Sequence, residues 1–500
     1  MFKLIKATAF VSMVTIVNVI AGMIRAKFTA VKLGPAGVGI LSQAMNFQYL
    51  IVSVASLSIG LGIAKYVAQY KAQGDNTKIS QVVSYSIFMQ TITFVIIFLI
   101  AIFLYGFLSK FLFSTTEYSN YLILPLIGAI FLIWVSTIEA TMLGLGNYMA
   151  FARSRSVSSV AGLIPLFVFV FFMGVKGGFL YQAASGILTF IIYCVIFKKS
   201  VPADIMPLIK NGIARFVPEK NTFNNVGKSL LLYGGASFAG SVLSMGNIII
   251  VRSLLITYFG SEANGYYQVV FMMSAYYIAF FTNGLWSYLY ARMSSIKDKD
   301  IYSIEINQAL RFCIFGIVPI VTAIFLLRGI IINTVFSNEF QQSGHLFATQ
   351  LMGDIFFITF YIMGTSLLAS TKLKEYILSG LMYSIVYIGS FICLKNIFGL
   401  ETITISYLMA NAVLAVAIFY YHFKTMGFNL YWRNTKLFVS AIIICIFILF
   451  SGWETAIASF SKIIIVILWL FFFSTATEKR KLMAIAKNRI APMIGARNGR

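Results

Sequence analysis

The sequence predicts an all-α polytopic membrane protein with about fourteen transmembrane helices. Of its 500 residues, 60% are hydrophobic and only 11% are charged, and the mean hydropathy is +0.89. Soluble domains are about half apolar and a quarter charged. Because no soluble core hides this much apolar surface, most of the chain must face hydrocarbon. The composition excludes a soluble enzyme, a nucleic-acid-binding domain and a secreted disulfide scaffold.

Fourteen apolar stretches account for most of the chain, and each approaches the length of about 20 residues that a membrane-spanning helix needs. The first stretch follows two lysines and continues to about Val31, so we interpret it as an uncleaved first span and not as a signal peptide. The predicted spans are 7–31, 38–64, 80–106, 120–145, 156–174, 178–197, 229–256, 264–291, 306–330, 343–369, 376–395, 402–421, 437–452 and 460–476.

The basic residues predict the orientation of these spans. The chain has 38 Lys and Arg against 15 Asp and Glu, a net charge of +23. With the predicted spans, 29 of the 38 basic residues fall in loops on one side, and the positive-inside rule assigns that side to the cytoplasm. Both termini are therefore predicted to be cytoplasmic. The net charge reflects this topology, so we expect no nucleic-acid partner.

The longest predicted loop divides the chain into two lobes. Within it, apolar residues recur at helical spacing beside basic ones, which predicts an amphipathic helix at the membrane surface; they are Ile205, Ile209, Ile213 and Phe216. The final segment is basic with interspersed apolar residues, which is typical of segments that lie on the inner leaflet. The predicted units are a six-helix lobe (1–200), a linker (201–228), a second six-helix lobe (229–425), two additional helices (426–477) and a basic tail (478–500).

An internal repeat supports two pseudo-symmetric lobes. Aligning Gly34 in the first span pair with Gly260 in the seventh and eighth also aligns Gly39 with Gly265. Both halves begin on the cytoplasmic side, so the repeat is parallel. Two similar bundles around a central cavity is a common design of membrane transporters.

Arg25, Lys27 and Arg252 lie inside predicted spans and need an explanation. An Arg at the bilayer centre costs about 2.5–3.5 kcal/mol on insertion scales, so it seldom faces lipid. Arg252 has apolar neighbours on both sides, which favours a water-filled cavity around it. For Arg25 and Lys27, a cavity position and snorkelling to the outer surface are equally open. A positively charged cavity selects an anion, and guanidinium groups match phosphate geometry, so the three are candidate ligands for a lipid diphosphate.

Polar residues on the first, second and eighth spans are predicted to line the same cavity. Asn18 shares a helical face with Arg25, and amides recur on the other two spans; they are Gln43, Asn46, Gln268 and Asn283. Hydrogen bonding between helices is the alternative for each amide. Two intramembrane acids, Glu139 and Asp354, are candidates for ion coupling. A structural role as partner of a neighbouring basic residue is the favoured alternative for both.

The sequence predicts neither a catalytic site nor a metal or cofactor site. Asp298 and Asp300 form a DxD triplet like that of glycosyltransferases, but the loop is too short for a nucleotide-sugar domain. His345 and His422 are far apart in the sequence, and the four cysteines lie within apolar runs. A membrane-bound polymerase or ligase usually carries a large outer loop, and all predicted outer loops are short. We therefore expect a protein that is not an enzyme.

Two sequence blocks resemble a known family. The blocks are LGPAGVGILSQAMNFQYL followed by GLGIAKYVAQY near the N-terminus, and residues 336–370 with the Gly353-Asp354 pair. Both are similar to flippases of O-antigen and enterobacterial common antigen (Wzx type). These flippases belong to the polysaccharide-transport branch of the multidrug/oligosaccharidyl-lipid/polysaccharide (MOP) exporter superfamily. The resemblance covers about residues 1–425 and implies two six-helix lobes around a V-shaped cavity.

The resemblance also implies an activity. A flippase of this family moves an undecaprenyl-diphosphate-linked oligosaccharide from the cytoplasmic to the periplasmic leaflet of the bacterial inner membrane, and we expect alternating access. It implies no cofactor, and its expected partners are the lipid substrate, the bilayer, a polysaccharide polymerase and a chain-length regulator. We expect a monomer because one chain supplies both lobes. Related exporters of peptidoglycan lipid II or of cationic drugs are the alternatives.

Individual residues carry the resemblance unequally. Lys27 and Arg252 match basic residues of the family's first and seventh spans, and Lys65, Gln268 and Asp354 also match. Arg25 resembles instead the first-span Arg of lipid II flippases. The chain departs from the family at its C-terminus, where it adds about 75 residues to a twelve-span pattern. In lipid II flippases two extra helices form a groove for the lipid tail, and whether they do so here is open.

Overall fold

The computed structural model describes residues 2–201, 207–208, 227–296, 298–452 and 456–475. For residues 2–13, 228–229, 231–233, 236, 283–284, 286–287, 291 and 456 it describes the backbone alone. The predicted amphipathic helix in the linker and the predicted basic tail lie outside the described residues. So does the side chain of Asn283, a predicted cavity residue.

The N-terminal lobe consists of helices α1 to α7. Their bounds are α1 Phe2–Ala55, α2 Gly60–Ala72, α3 Asn76–Phe103, α4 Tyr105–Phe113, α5 Ile123–Gly144, α6 Tyr148–Ala161 and α7 Leu163–Ser200. A short 3₁₀ helix, Ser119–Leu122, precedes α5.

The C-terminal part consists of helices α8 to α14. Their bounds are α8 Lys228–Ser295, α9 Lys299–Val335, α10 Phe347–Ala369, α11 Leu373–Phe398, α12 Thr402–Thr425, α13 Trp432–Phe450 and α14 Ala456–Phe473. A 3₁₀ helix, Asn338–Leu346, precedes α10, and another, Gly399–Glu401, joins α11 to α12.

The described residues contain enough apolar helix for fourteen membrane crossings. Nine helical stretches are long and apolar enough to cross a membrane, and a shorter apolar helix, Ile457–Phe473, follows them. Four of the nine have 42 to 53 residues, about twice the length of one crossing. Each of these four is broken near its middle, at Gly34, Gly174, Gly260 or Gly399, so it crosses twice. The predicted all-α polytopic fold with about fourteen spans is confirmed.

The breaks also reveal the repeat. Gly34 has φ 62° and ψ −175°, and the aligned Gly260 has φ 84° and ψ 169°. Gly174 (φ 56°, ψ −132°) corresponds in the same way to Gly399 (φ 55°, ψ −131°). A side chain strongly disfavours such positive φ values, so glycine occupies all four positions. Equivalent breaks at a nearly constant spacing agree with two pseudo-symmetric lobes.

The two additional helices, α13 and α14, pack on α9 of the C-terminal lobe. The contact contains a buried amide pair, in which Asn434 Nδ2 donates to Asn307 Oδ1 at 2.9 Å. Arg311 on α9 also donates to the carbonyl oxygen of Phe473 at 2.6 Å, which caps the end of α14. Because buried polar groups need partners, these bonds fix the position of both helices.

Some boundaries differ from the prediction. The second predicted span is interrupted after Ala55, where Leu57 and Ser58 adopt φ of 54° and 50°. The loop predicted after the third span contains α4, a short helix that exposes Phe107 and buries Ser109 and Leu112. Such amphipathic turns are too short to register as spans in a hydropathy pattern.

Candidate functional site

The outer ends of the lobes, which the charge distribution assigns to the periplasm, meet where α1 packs on α8. Gly39 of α1 faces the carbonyl oxygen of Ser261, and Gly265 of α8 faces that of Pro35. A Cβ at either glycine would collide with that backbone oxygen. Ser261 is the repeat equivalent of Pro35, so the contact is reciprocal. The glycines therefore allow the two backbones to approach as closely as small residues do in membrane helix pairs.

Arg252 lies beside this contact and is buried, with 1% of its surface exposed. Its Nη1 donates to Gln268 Oε1 at 2.6 Å and, more weakly, to Asn264 Oδ1 and Ser42 Oγ at 3.4 and 3.3 Å. The guanidinium also lies over aromatic rings of α8, while Nε and Nη2 have no hydrogen-bond partner. The water-filled cavity around Arg252 stays a prediction, because amides and rings surround the side chain while two of its nitrogens have no protein partner. We call Gly39, Ser42, Arg252, Asn264 and Gly265 the outer seal.

Gln43 and Gln268 were both predicted to line the cavity, and both instead join helices. Gln43 is fully buried, and its Nε2 donates to the carbonyl oxygen of Ile249 at 3.2 Å and to Ser253 Oγ at 2.9 Å. Gln268 accepts from Arg252. At these two amides the structure contains the alternative, which is hydrogen bonding between helical segments.

Lys27 is engaged by the backbone of the C-terminal lobe. Its ammonium group donates to the backbone carbonyls of Asn333 at 3.0 Å and Phe336 at 2.6 Å, at the outer end of α9. Helix geometry explains why Lys27 does not share the position of Arg25. Residues two positions apart on a helix point in nearly opposite directions, so Lys27 and Arg25 cannot face the same space. Lys27 links the lobes at their outer ends.

Arg25 also keeps unused hydrogen-bonding capacity, and it lies between the lobes. Its Nε is buried and has no hydrogen-bond partner. Tyr181 of α7, Tyr49 of α1 and Tyr276 of α8 lie close enough to interact electrostatically with it. Because Tyr181 belongs to the N-terminal lobe and Tyr276 to the C-terminal lobe, the guanidinium sits between the lobes.

Two predicted amides of α1, the helix that carries Arg25, have the same property. Asn18 Oδ1 and Asn46 Nδ2 are buried and have no hydrogen-bond partner. Buried polar atoms are normally paired, so several unpaired ones together mark a place for water or a ligand. Tyr49, in the second half of α1, leaves 46% of its surface exposed, which indicates accessible space beside the group. We call Asn18, Arg25, Asn46, Tyr49 and Tyr276 the Arg25 cluster.

Asp354 of α10 is completely buried and accepts three hydroxyl hydrogen bonds. Ser274 donates to Oδ2 at 2.6 Å, Tyr277 makes a short bond to the same oxygen, and Tyr407 donates to Oδ1 at 2.9 Å. Among the described residues, the carboxylate forms no salt bridge. The favoured interpretation, a partner for a basic side chain, is therefore wrong for Asp354.

Glu139 of α5 has a similar environment. The hydroxyl of Tyr193 makes a short hydrogen bond to Oε1. The two salt bridges among described side chains, Lys78–Asp75 and Arg292–Glu305, do not involve it. The structural interpretation as partner of a basic residue is thus wrong for Glu139 as well. In the part of the chain that the structure describes, no three metal-ligating side chains cluster.

Sequence reasoning missed Tyr181 and Tyr276 beside Arg25, and Ser42 and Asn264 beside Arg252. Asn264 and Gln268 are four residues apart on α8, so they share a helical face, and that spacing was a usable signal. Ser42, Tyr181 and Tyr276 are on other helices than the arginines they accompany, and their proximity depends on how the helices pack. That packing is not encoded in local spacing.

No protein-family model matches the sequence. The chain is 29% identical over 382 residues to the lipid III flippase of Escherichia coli (strain K12), which covers 75% of this chain and 88% of that protein. The lipid III flippase of Shigella flexneri matches equally. The chain resembles lipid III flippases in sequence. The resemblance predicted from the two sequence blocks is confirmed.

Solved structures extend the likeness to the fold. An inward-facing multidrug resistance MATE family transporter of the MOP superfamily superposes with a TM-score of 0.68 at 13% identity, covering 83% of this chain and 94% of that one. The lipid II flippase MurJ, in an inward closed conformation, gives 0.67 at 15% identity and covers 96% and 100%. The chain has the fold of a MOP superfamily transporter and is a multi-pass inner-membrane protein. Because the MurJ match covers nearly all of this chain, it includes the region of α13 and α14.

Proposed function

We propose that this chain is a flippase that moves an undecaprenyl-diphosphate-linked oligosaccharide from the cytoplasmic to the periplasmic leaflet by alternating access. The similarity to lipid III flippases supports the substrate class. The observation that carries the proposal is the Arg25 cluster, where a guanidinium with an unpaired nitrogen lies between tyrosines of the two lobes and two amides of the same helix keep unpaired atoms. A diphosphate supplies the negative charge and the acceptor oxygens that such a guanidinium binds best.

The glycan is the part of the substrate that is costly to move across the membrane. Drawing hydroxyl and amide groups through hydrocarbon without hydrogen bonds costs several kcal/mol each, by order of magnitude. A polar space between the lobes removes that cost, while the polyprenyl chain stays in lipid. In this scheme Arg25 holds the diphosphate, and Asn18 and Asn46 complete its hydrogen bonds.

The outer seal supplies the gate of the scheme. Release to the periplasmic leaflet requires the lobes to separate at Gly39 and Gly265. That separation breaks the bonds of Arg252 to Ser42 and of Lys27 to α9. The two basic residues thus act in closure, and Arg25 acts in substrate binding. Asp354 is the candidate for coupling transport to an ion. Three hydroxyl donors stabilise its buried negative charge, and a bound proton would neutralise that charge.

The alternatives fit the site less well. An exporter of organic cations needs an accessible carboxylate in its cleft, whereas the oxygens of Asp354 accept from buried hydroxyls. Peptidoglycan lipid II carries the same diphosphate, so the Arg25 cluster alone would accept it. The similarity to lipid III flippases favours a glycan other than lipid II. In this proposal the chain acts as a monomer, beside a polysaccharide polymerase and a chain-length regulator.

The test is export in cells whose only flippase for the glycan is this chain. Arg25→Ala should abolish surface glycan while membrane abundance stays unchanged, and Arg25→Lys should retain part of the export because it keeps the charge. Arg153→Ala, an exposed residue of α6, is the matched control and should export normally. Normal surface glycan in cells with Arg25→Ala would overturn the proposal.

A further inference from the structure

A cavity lies inside the C-terminal lobe, and none of the predicted site residues is in its wall. Its volume is about 430 Å³, and its wall is formed by α8, α10, α11 and α12. Pockets of roughly 300–1,000 Å³ hold small organic ligands. One water molecule takes about 30 Å³, so the space is much larger than a single ion or water needs.

Two buried hydrogen-bond acceptors in the wall have no partner. They are Oε1 of Gln350 and Oδ1 of Asn411, and the two side chains are 1% and 0% exposed. Asn411 Nδ2 donates to the carbonyl oxygen of Tyr407 at 2.9 Å, which fixes the amide so that its oxygen is the free atom. Because unpaired buried acceptors are unfavourable, a suitable occupant brings hydrogen-bond donors.

The rest of the wall is dominated by aromatic rings with polar tips. Six tyrosines contribute to it: Tyr267, Tyr361, Tyr376, Tyr383, Tyr387 and Tyr407. A tyrosine offers an apolar face and a hydroxyl that acts as donor or acceptor. A pyranose ring has the complementary surface, with C–H groups on its faces and hydroxyls around its edge. An alkyl chain would leave the acceptor oxygens of Gln350 and Asn411 unsatisfied.

The cavity wall also carries no free charge among its described residues. It contains no Lys, Arg, Asp or Glu side chain. The nearby carboxylate of Asp354 is engaged by Ser274, Tyr277 and Tyr407. The guanidinium of Arg252 lies over the rings of Tyr267 and Phe271 but is not part of the wall. A diphosphate or an organic cation would therefore contact no counter-charge in the wall, which favours a neutral occupant.

We propose that this cavity binds a neutral pyranose unit of the translocated glycan. The inference rests on the proposed flippase function and divides the substrate between two sites. The Arg25 cluster binds the diphosphate, and the cavity binds a sugar. Ser244 and Ala275, on the two halves of α8, are exposed and line the cavity, which gives a route into it.

The experiment measures binding of two probes to the full-length protein in detergent. One probe is undecaprenyl diphosphate. The other is the free oligosaccharide released by mild acid from the lipid-linked intermediate that accumulates in source cells depleted of this chain. Asn411→Leu removes an acceptor, and Ser244→Phe fills the cavity from an exposed position. Gln182→Leu is the control, since Gln182 is a buried amide of the N-terminal lobe whose side-chain oxygen is also unpaired.

We expect Asn411→Leu and Ser244→Phe to weaken oligosaccharide binding about ten-fold or more and to leave undecaprenyl diphosphate binding unchanged. Arg25→Ala should do the reverse, and Gln182→Leu should affect neither probe. Unchanged oligosaccharide binding in both cavity variants would overturn the sugar site alone, as would equal loss of both probes. Loss of neither probe in Arg25→Ala would instead overturn the proposed diphosphate site.

Discussion

Replacing Gly39 by alanine should open the outer ends of the two lobes. A Cβ at this position would collide with the carbonyl oxygen of Ser261 and lie 2.9 Å from the amide nitrogen of Gly265. Both are backbone atoms, so neither neighbour can rotate away as a side chain would. Overpacking of this kind costs about 1–3 kcal/mol, and the cost applies only while the outer seal is closed.

That energy sets the size of the effect. A difference of about 1–3 kcal/mol between two states changes their ratio about 5- to 150-fold. The closed arrangement should therefore lose population to one in which the lobes are apart at their outer ends. Since the substitution adds a single methyl group to a helix, the rest of the fold should be unaffected.

Distances between spin labels at the outer ends measure this shift. Lys176→Cys and Glu401→Cys place the labels on exposed outer positions of the two lobes, after the four native cysteines have been replaced. Gly246→Ala is the control, because a Cβ at that helical position of α8 meets no atom within 4 Å. Gly39→Ala should broaden and lengthen the distance distribution, and Gly246→Ala should not. Identical distributions for both variants would refute the argument.

Two further substitutions test single contacts. Lys27→Met removes the bonds to the carbonyls of Asn333 and Phe336. It should therefore lengthen the distance between the labels at positions 176 and 401 without weakening undecaprenyl diphosphate binding. Weaker binding with an unchanged distance would place Lys27 at the substrate instead. Asp354→Leu leaves three buried hydroxyls without their acceptor and should lower thermal stability by about 1–3 kcal/mol or more, whereas Asp354→Asn should lower it less. Equal melting temperatures for Asp354→Leu and the unmodified protein would contradict the buried hydrogen-bond network.

Much of the fold was predictable because the bilayer imposes it. Span length and the glycine pairs Gly34–Gly260 and Gly39–Gly265 depend on local physics, and each appears in the structure. The breaks within the second span and the helix α4 were not predicted. Short amphipathic or strained segments leave a weak hydropathy signal.

The site was predictable only in part. Charge inside a span singled out Arg25, Lys27 and Arg252, but it could not say which of them faces open space. That depends on the rotation of each helix and on contacts between lobes, as the bonds of Arg252 to Ser42 and Gln268 illustrate. The tyrosine-lined cavity escaped notice because its residues are spread over four helices and have no common spacing.

Flipping by the purified protein tests the central claim most directly. Proteoliposomes would contain the lipid-linked oligosaccharide in both leaflets, and a glycan-degrading enzyme added outside would report the fraction that becomes accessible. The unmodified protein should expose the entire pool, and Gln182→Leu should do the same. Arg25→Ala should expose only the fraction that starts in the outer leaflet. Full exposure by Arg25→Ala, or none beyond the outer leaflet by the unmodified protein, would contradict the account.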